Sequence, residues 1–115
     1  MAKFHFDCVF YYVSDMERAI SFYSDVLGLR LTSRDVVARF DIDGVLLELV
    51  PSRDKRKLKG GSNARLCLKV EDISQAVEYL KTKGIHAGEI QKAENGKLTS
   101  FADPDENEIC LWQYD

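Results

Sequence analysis

The sequence predicts an α+β protein built from one structural unit used twice, a strand followed by a helix and three further strands (βαβββ). Three observations predict it. Two helical segments share their pattern at a fixed offset of 57 residues, a strand candidate precedes each, and three strand candidates follow each. The chain has 115 residues, of which 45% are hydrophobic and 30% charged, which suits a single soluble domain with a modest core.

The helical segments are VSDMERAISFY (13–23) and VEDISQAVEYL (70–80). Val13 matches Val70, Asp15 matches Asp72, Ala19 matches Ala76 and Phe22 matches Tyr79. Apolar residues recur at helical spacing in both: Met16, Ala19, Ile20 and Tyr23 in the first, then Ile73, Ala76, Val77 and Leu80 in the second. Ser14 with Glu17 reads as a capping box, and Asp72 as an N-cap. Gly28 and Gly84 sit where a helix C-terminus favours a residue without a Cβ.

In the first half the strand candidates are 7–13, 30–35, 37–42 and 45–50; in the second they are 64–70, 86–90, 97–102 and 108–114. Asp103-Pro104-Asp105 is turn chemistry between the last two. The expected organisation is one domain over 1–115. Module one covers about 4–50, a basic connector 51–63 (PSRDKRKLKGGSN), and module two about 64–115. The connector reads as a solvated linker or as a lid over an anionic ligand.

A net charge of −3 disfavours a nucleic-acid coat, and no apolar run approaches the roughly 18 residues of a membrane span. The first residues, MAKFHFDC, lack the apolar centre of a secretion signal, and three cysteines without a CxxC pair suggest neither a disulfide framework nor a zinc knuckle. The expected location is the cytoplasm.

Strand alternation sorts side chains into two sets. Val9, Tyr11, Val13, Leu47, Leu49, Leu66, Leu68, Val70, Ile109 and Leu111 suit packing against the helices. The opposite set mixes aromatic, sulfur and charged groups: Cys8, Phe10, Tyr12, Glu48, Arg65, Cys67, Lys69, Cys110 and Trp112. That mixture suggests a cleft or a subunit interface, or else the edge of an ordinary core with a salt bridge.

DMERAISFYSDVLGL (15–29) and FADPDENEICLWQ (101–113), set in the repeated unit, resemble the vicinal oxygen chelate superfamily: glyoxalase I, bleomycin-resistance proteins and extradiol dioxygenases. The resemblance implies curled mixed sheets around a cleft, usually in a homodimer. It also implies a divalent metal (Zn, Ni, Fe or Mn) held at positions matching Cys8, Glu48, Arg65 and Cys110. Of these, only Glu48 is a residue usual in the metal-binding members. Arg65 stays protonated and cannot ligate a metal, so the expectation is that no cofactor binds and that Arg65 pairs with Glu48.

The expected function is binding of a small anionic or aromatic molecule in a degenerate, metal-free site, without nucleic-acid or membrane partners. The expected ligand-binding residues are Cys8, Phe10, Glu48, Arg65, Cys67, Phe101, Cys110 and Trp112. The alternative is a glyoxalase-like lyase or isomerase with noncanonical ligands, for which Glu48, Arg65 and Cys110 are the catalytic candidates. A cysteine nucleophile would need a general base, and His5 and His86 lie outside the cluster.

Overall fold

A computed structural model of the chain describes residues 3, 5–52 and 65–115. It divides into two compact units, Met1–Leu58 and Lys59–Asp115. The first contains β1 (Val9–Val13), α1 (Met16–Ser21) continuing as a π-helical turn (Phe22–Val26), β2 (Arg30–Arg34), β3 (Ala38–Ile42) and β4 (Val45–Pro51). The second contains β5 (Leu66–Lys69), α2 (Ile73–Thr82), β6 (Gln91–Ala93), β7 (Gly96–Ala102) and β8 (Glu108–Tyr114). Each unit forms a four-stranded sheet of the same topology, ordered β1-β4-β3-β2 and β5-β8-β7-β6. The first and last strands of each unit are parallel neighbours and the other pairs are antiparallel. The expected α+β architecture of two βαβββ modules is therefore present.

Local chemistry explains the helix ends. The carboxylates of Asp15 and Asp72 accept the backbone N–H of Arg18 and Gln75, each at 3.1 Å. The N-cap of α1 is thus Asp15 and not the expected Ser14. Asp15 lies one residue nearer the first turn, while Glu17 is drawn to Arg34 at 2.8 Å. Where α1 widens, the Leu27 N–H bonds five residues back to the Phe22 carbonyl at 3.2 Å. The widened turn holds two consecutive aromatic residues, Phe22 and Tyr23, both buried. The helical segments then close at Gly28 and Gly84, with φ of +69° and +79°.

One face of each sheet carries the core. Val13, Ala38, Phe40, Leu47 and Leu49 are buried in the first unit, with the Tyr23 ring 6.0 Å from that of Phe40. Ile73 and Leu80 of α2, with Leu66, Ile109 and Leu111, are buried in the second. Burying such side chains contributes on the order of 1.5–3 kcal/mol each before entropy is subtracted. Gln113 shares that face and turns its Oε1 to accept the first N–H of α2, that of Ile73, at 2.9 Å.

The strand expected at 86–90 is not formed; β6 begins at Gln91. Ala93 opposite Gly96 places the hairpin turn at Glu94–Asn95, so the ladder runs only from Gln91 to Ala93. The chain before it is tied through Gly88, whose N–H bonds to the Ser100 carbonyl and whose carbonyl accepts the Thr99 hydroxyl. The connector from 53 to 63, with its reading as linker or lid, lies outside the described residues.

Candidate functional site

Strand alternation gives each sheet a second face, turned away from its helix, and most of the expected site residues stand there. In the first unit the register places Phe10 beside Glu48 on β1–β4, and Arg39 opposite Glu48 on β3–β4. The second pairing follows from local sequence. Asp43-Gly44 is a two-residue turn with φ of +52° and +87°, and counting back from Ile42 opposite Val45 brings Arg39 to Glu48.

Glu48 is engaged on both oxygens. Arg39 Nε donates to Oε2 at 3.1 Å, and the Cys8 thiol lies 3.6 Å from Oε1 as a weak donor. The same guanidinium reaches Ser33 Oγ and Asp35 Oδ2 through Nη1, each at 3.2 Å. Asp35 is held below the usual carboxylate range by the Val37 N–H and by Arg39. The Cys8 thiol is pushed up, first by partial burial and then by the negative charges of Glu48 and Asp7. A reactive, low-pKa cysteine is the opposite of this environment.

Phe10 and Tyr12 stand exposed on the same face, edge to face with centroids 5.4 Å apart. Tyr12 also borders an open depression of about 480 Å³, lined among the described residues by Val50, Pro51 and Ser52 as well.

The second unit presents a matching face. Parallel pairing puts Cys67 beside Cys110 and Lys69 beside Trp112. Antiparallel pairing adds Leu98 opposite Trp112 and Ser100 opposite Cys110. Trp112 stacks on Tyr114, with centroids 5.4 Å apart and planes 25° from parallel. Lys69 is exposed and has no ion-pair partner among the described residues. All three cysteines are free thiols.

Two expectations require correction. Arg65 and Glu48 are each satisfied within their own unit: Arg65 pairs with Glu108 at 2.6 Å, and Glu48 with Arg39. Phe101 faces the core. It sits opposite Ile109 in the β7–β8 ladder and is 4% exposed, so it does not line the open face. Sequence reasoning missed Arg39, although the Asp43-Gly44 turn carried the signal. It also left Tyr114 out of the site, although Tyr114 follows Trp112 at strand spacing.

The four positions that the resemblance assigns to a metal do not form a fitting donor set. Arg65 offers only N–H donors and positive charge, and the Glu48 carboxylate is already paired with Arg39. Among the described residues, no three His, Cys, Asp or Glu side chains group closely enough to hold an ion. A guanidinium about 4 Å from a divalent cation would oppose it by several kcal/mol at an effective dielectric near 20.

Comparison with known proteins gives a consistent lineage. The family model for the Glyoxalase/Bleomycin resistance protein/Dioxygenase superfamily matches residues 5–111. Among solved structures, TnmS3, an antibiotic binding protein from Streptomyces sp. CB03234, is similar at 25% identity and a TM-score of 0.73, with 100% of this chain and 99% of that one covered. The fosfomycin resistance protein FosX from Listeria monocytogenes shares the fold at 13% identity and a TM-score of 0.81, over 96% of this chain and 92% of that one. Lactoylglutathione lyase from Agrobacterium tumefaciens shares it at 16% identity and 0.74, over 97% and 95%.

Proposed function

The chain belongs to the Glyoxalase/Bleomycin resistance protein/Dioxygenase superfamily, and from that premise we propose that it is a small-molecule-binding protein whose site works without a metal and takes a planar aromatic anion. The observation that carries the reading is the open face of the second unit. There an exposed Lys69, without an ion-pair partner among the described residues, lies beside the stacked Trp112–Tyr114 pair, with Leu98 across from Trp112.

A flat ring lies against the indole at an aromatic spacing, and the ammonium of Lys69 takes its carboxylate or sulfonate. Phe10 and Tyr12 offer a second aromatic surface on the first unit. The antibiotic-binding neighbour at 25% identity supports binding as the activity. Superfamily membership alone does not decide between binding and catalysis. With Glu48 held by Arg39 and Arg65 by Glu108, neither of these candidate catalytic residues is left as a free acid, base or electrophile. Assembly as a homodimer belongs to the same proposal, supported by the exposed apolar side chains Phe10, Tyr12 and Tyr114.

The chain has one tryptophan, so Trp112 fluorescence reports directly on the site. Titration with 2-naphthoate is expected to quench it, and with neutral 2-naphthamide to quench it less. Lys69→Gln is expected to weaken naphthoate about fivefold, the size of an exposed charge contact near 1 kcal/mol, and to leave naphthamide unchanged. Equal affinity for the two probes in wild type would overturn the anionic part of the reading. One equivalent of zinc, nickel, iron or manganese in protein purified without chelator would overturn the metal-free part.

A further inference from the structure

Cys67 and Cys110 carry a consequence that the binding function does not use. They are register partners on neighbouring parallel strands, β5 and β8, and both side chains leave the sheet on its open face. Adjacent strands lie about 4.8 Å apart, inside the roughly 4.4–6.8 Å Cα separation that a disulfide spans. Cys67 is exposed and Cys110 half-buried, so a small reagent reaches the pair from solvent. Within its unit, β5 bonds to β8 alone and stands last in the strand order, so it can shift slightly to close the bond. Lys69 stands two residues from Cys67 on the same face, while the charge of Arg65 is met by Glu108.

We infer that Cys67 and Cys110 form a thiol–disulfide pair that small-molecule disulfides of the glutathione type oxidise reversibly. The Cys67 thiolate attacks one sulfur of the oxidised reagent, forming a mixed disulfide and expelling one thiolate. Cys110, as thiolate, then attacks the Cys67 sulfur, expels the second and closes the cross-strand bond. Two protein thiols and one small disulfide become one protein disulfide and two small thiols; the two protons lost from the cysteines end on the products.

Parallel neighbours hold their Cβ atoms at about the strand spacing, slightly beyond the roughly 3.5–4.5 Å a relaxed disulfide prefers. The bond is therefore strained and readily reduced again, as regulatory disulfides are. Burial and the neighbouring Cys110 push the Cys67 thiol up, so the exchange accelerates as pH rises. Cys8 takes no part: it stands in the other unit against Glu48.

The test incubates the full chain with oxidised glutathione and counts free thiols, followed by non-reducing peptide mapping. Two of the three thiols are expected to disappear, leaving Cys8. The mass should fall by about 2 Da, the two thiol hydrogens. A Cys67–Cys110 cross-linked peptide should appear, and dithiothreitol should restore both thiols. Cys8→Ser is expected to close the same bond, whereas Cys110→Ser should stop at a glutathione adduct on Cys67. Three persistent thiols, or a stable adduct on wild-type Cys67 without the cross-link, would overturn the inference. Because the readout is thiol chemistry, it stands apart from the naphthoate titration and survives or fails independently of it.

Discussion

Asp103 sets the hairpin that delivers Cys110 and Trp112 to the open face, and replacing it tests that chain of cause. Its Oδ1 accepts the backbone N–H groups of Asp105 and Asn107 at 2.8 and 2.9 Å, and its Oδ2 accepts the Asn107 side-chain amide at 2.9 Å. Asp103 itself is 5% exposed, Asp105 9% and Asn107 7%, so water cannot easily replace what is removed. Asp103→Ala deletes three bonds to a charged acceptor and leaves two buried backbone donors without it. Each such bond is worth about 1.5–3 kcal/mol and neighbouring losses overlap, giving a total of about 3–4 kcal/mol. For 115 residues that corresponds to a Tm about 12–16 °C lower. Asp103→Asn keeps an oxygen for the two backbone donors but turns an amide nitrogen toward Asn107, so its cost is about 1–2 kcal/mol. Urea unfolding followed by Trp112 fluorescence measures both. A loss below about 1 kcal/mol for the alanine variant, or equal losses for the two, would refute the assignment of the turn's stability to this carboxylate.

Further outcomes follow from three single positions. Gly96→Ala is expected to cost about 3 kcal/mol or more, because a Cβ there would overlap the Gln113 carbonyl oxygen on β8. Gly88→Ala, whose Cβ would meet Thr99 Oγ1 at an ordinary 3.7 Å, should fall within about 0.5 kcal/mol of wild type by the same denaturation assay. Cys8 has a folded pKa above its usual 9.0, so folding favours the protonated thiol. The stability it contributes is fully present below pH 9.0 and is lost as pH rises through the folded value. Iodoacetamide mapping should therefore show Cys8 labelled with a pH midpoint above 9.0 in the folded protein, moved down by Glu48→Gln; a midpoint below 9.0 would contradict the Glu48 contact.

What the sequence by itself determined is whatever short-range chemistry controls. The 57-residue repeat, the Asp72 cap and the alternation of β1, β4, β5 and β8 all came from residues acting on near neighbours. The Arg39–Glu48 pair belongs with them, because a two-residue turn at Asp43-Gly44 sets an antiparallel register by counting. The tertiary structure decided the rest. Arg65 meets Glu108, and Cys67 meets Cys110, across parallel strands whose connection runs through α2, β6 and β7, so no single turn sets their register. Phe101 shows the same limit in an antiparallel pair. The loop at 103–107 is too long for its closing register to be counted, and a slip of one residue decides whether the ring enters the core or the open face.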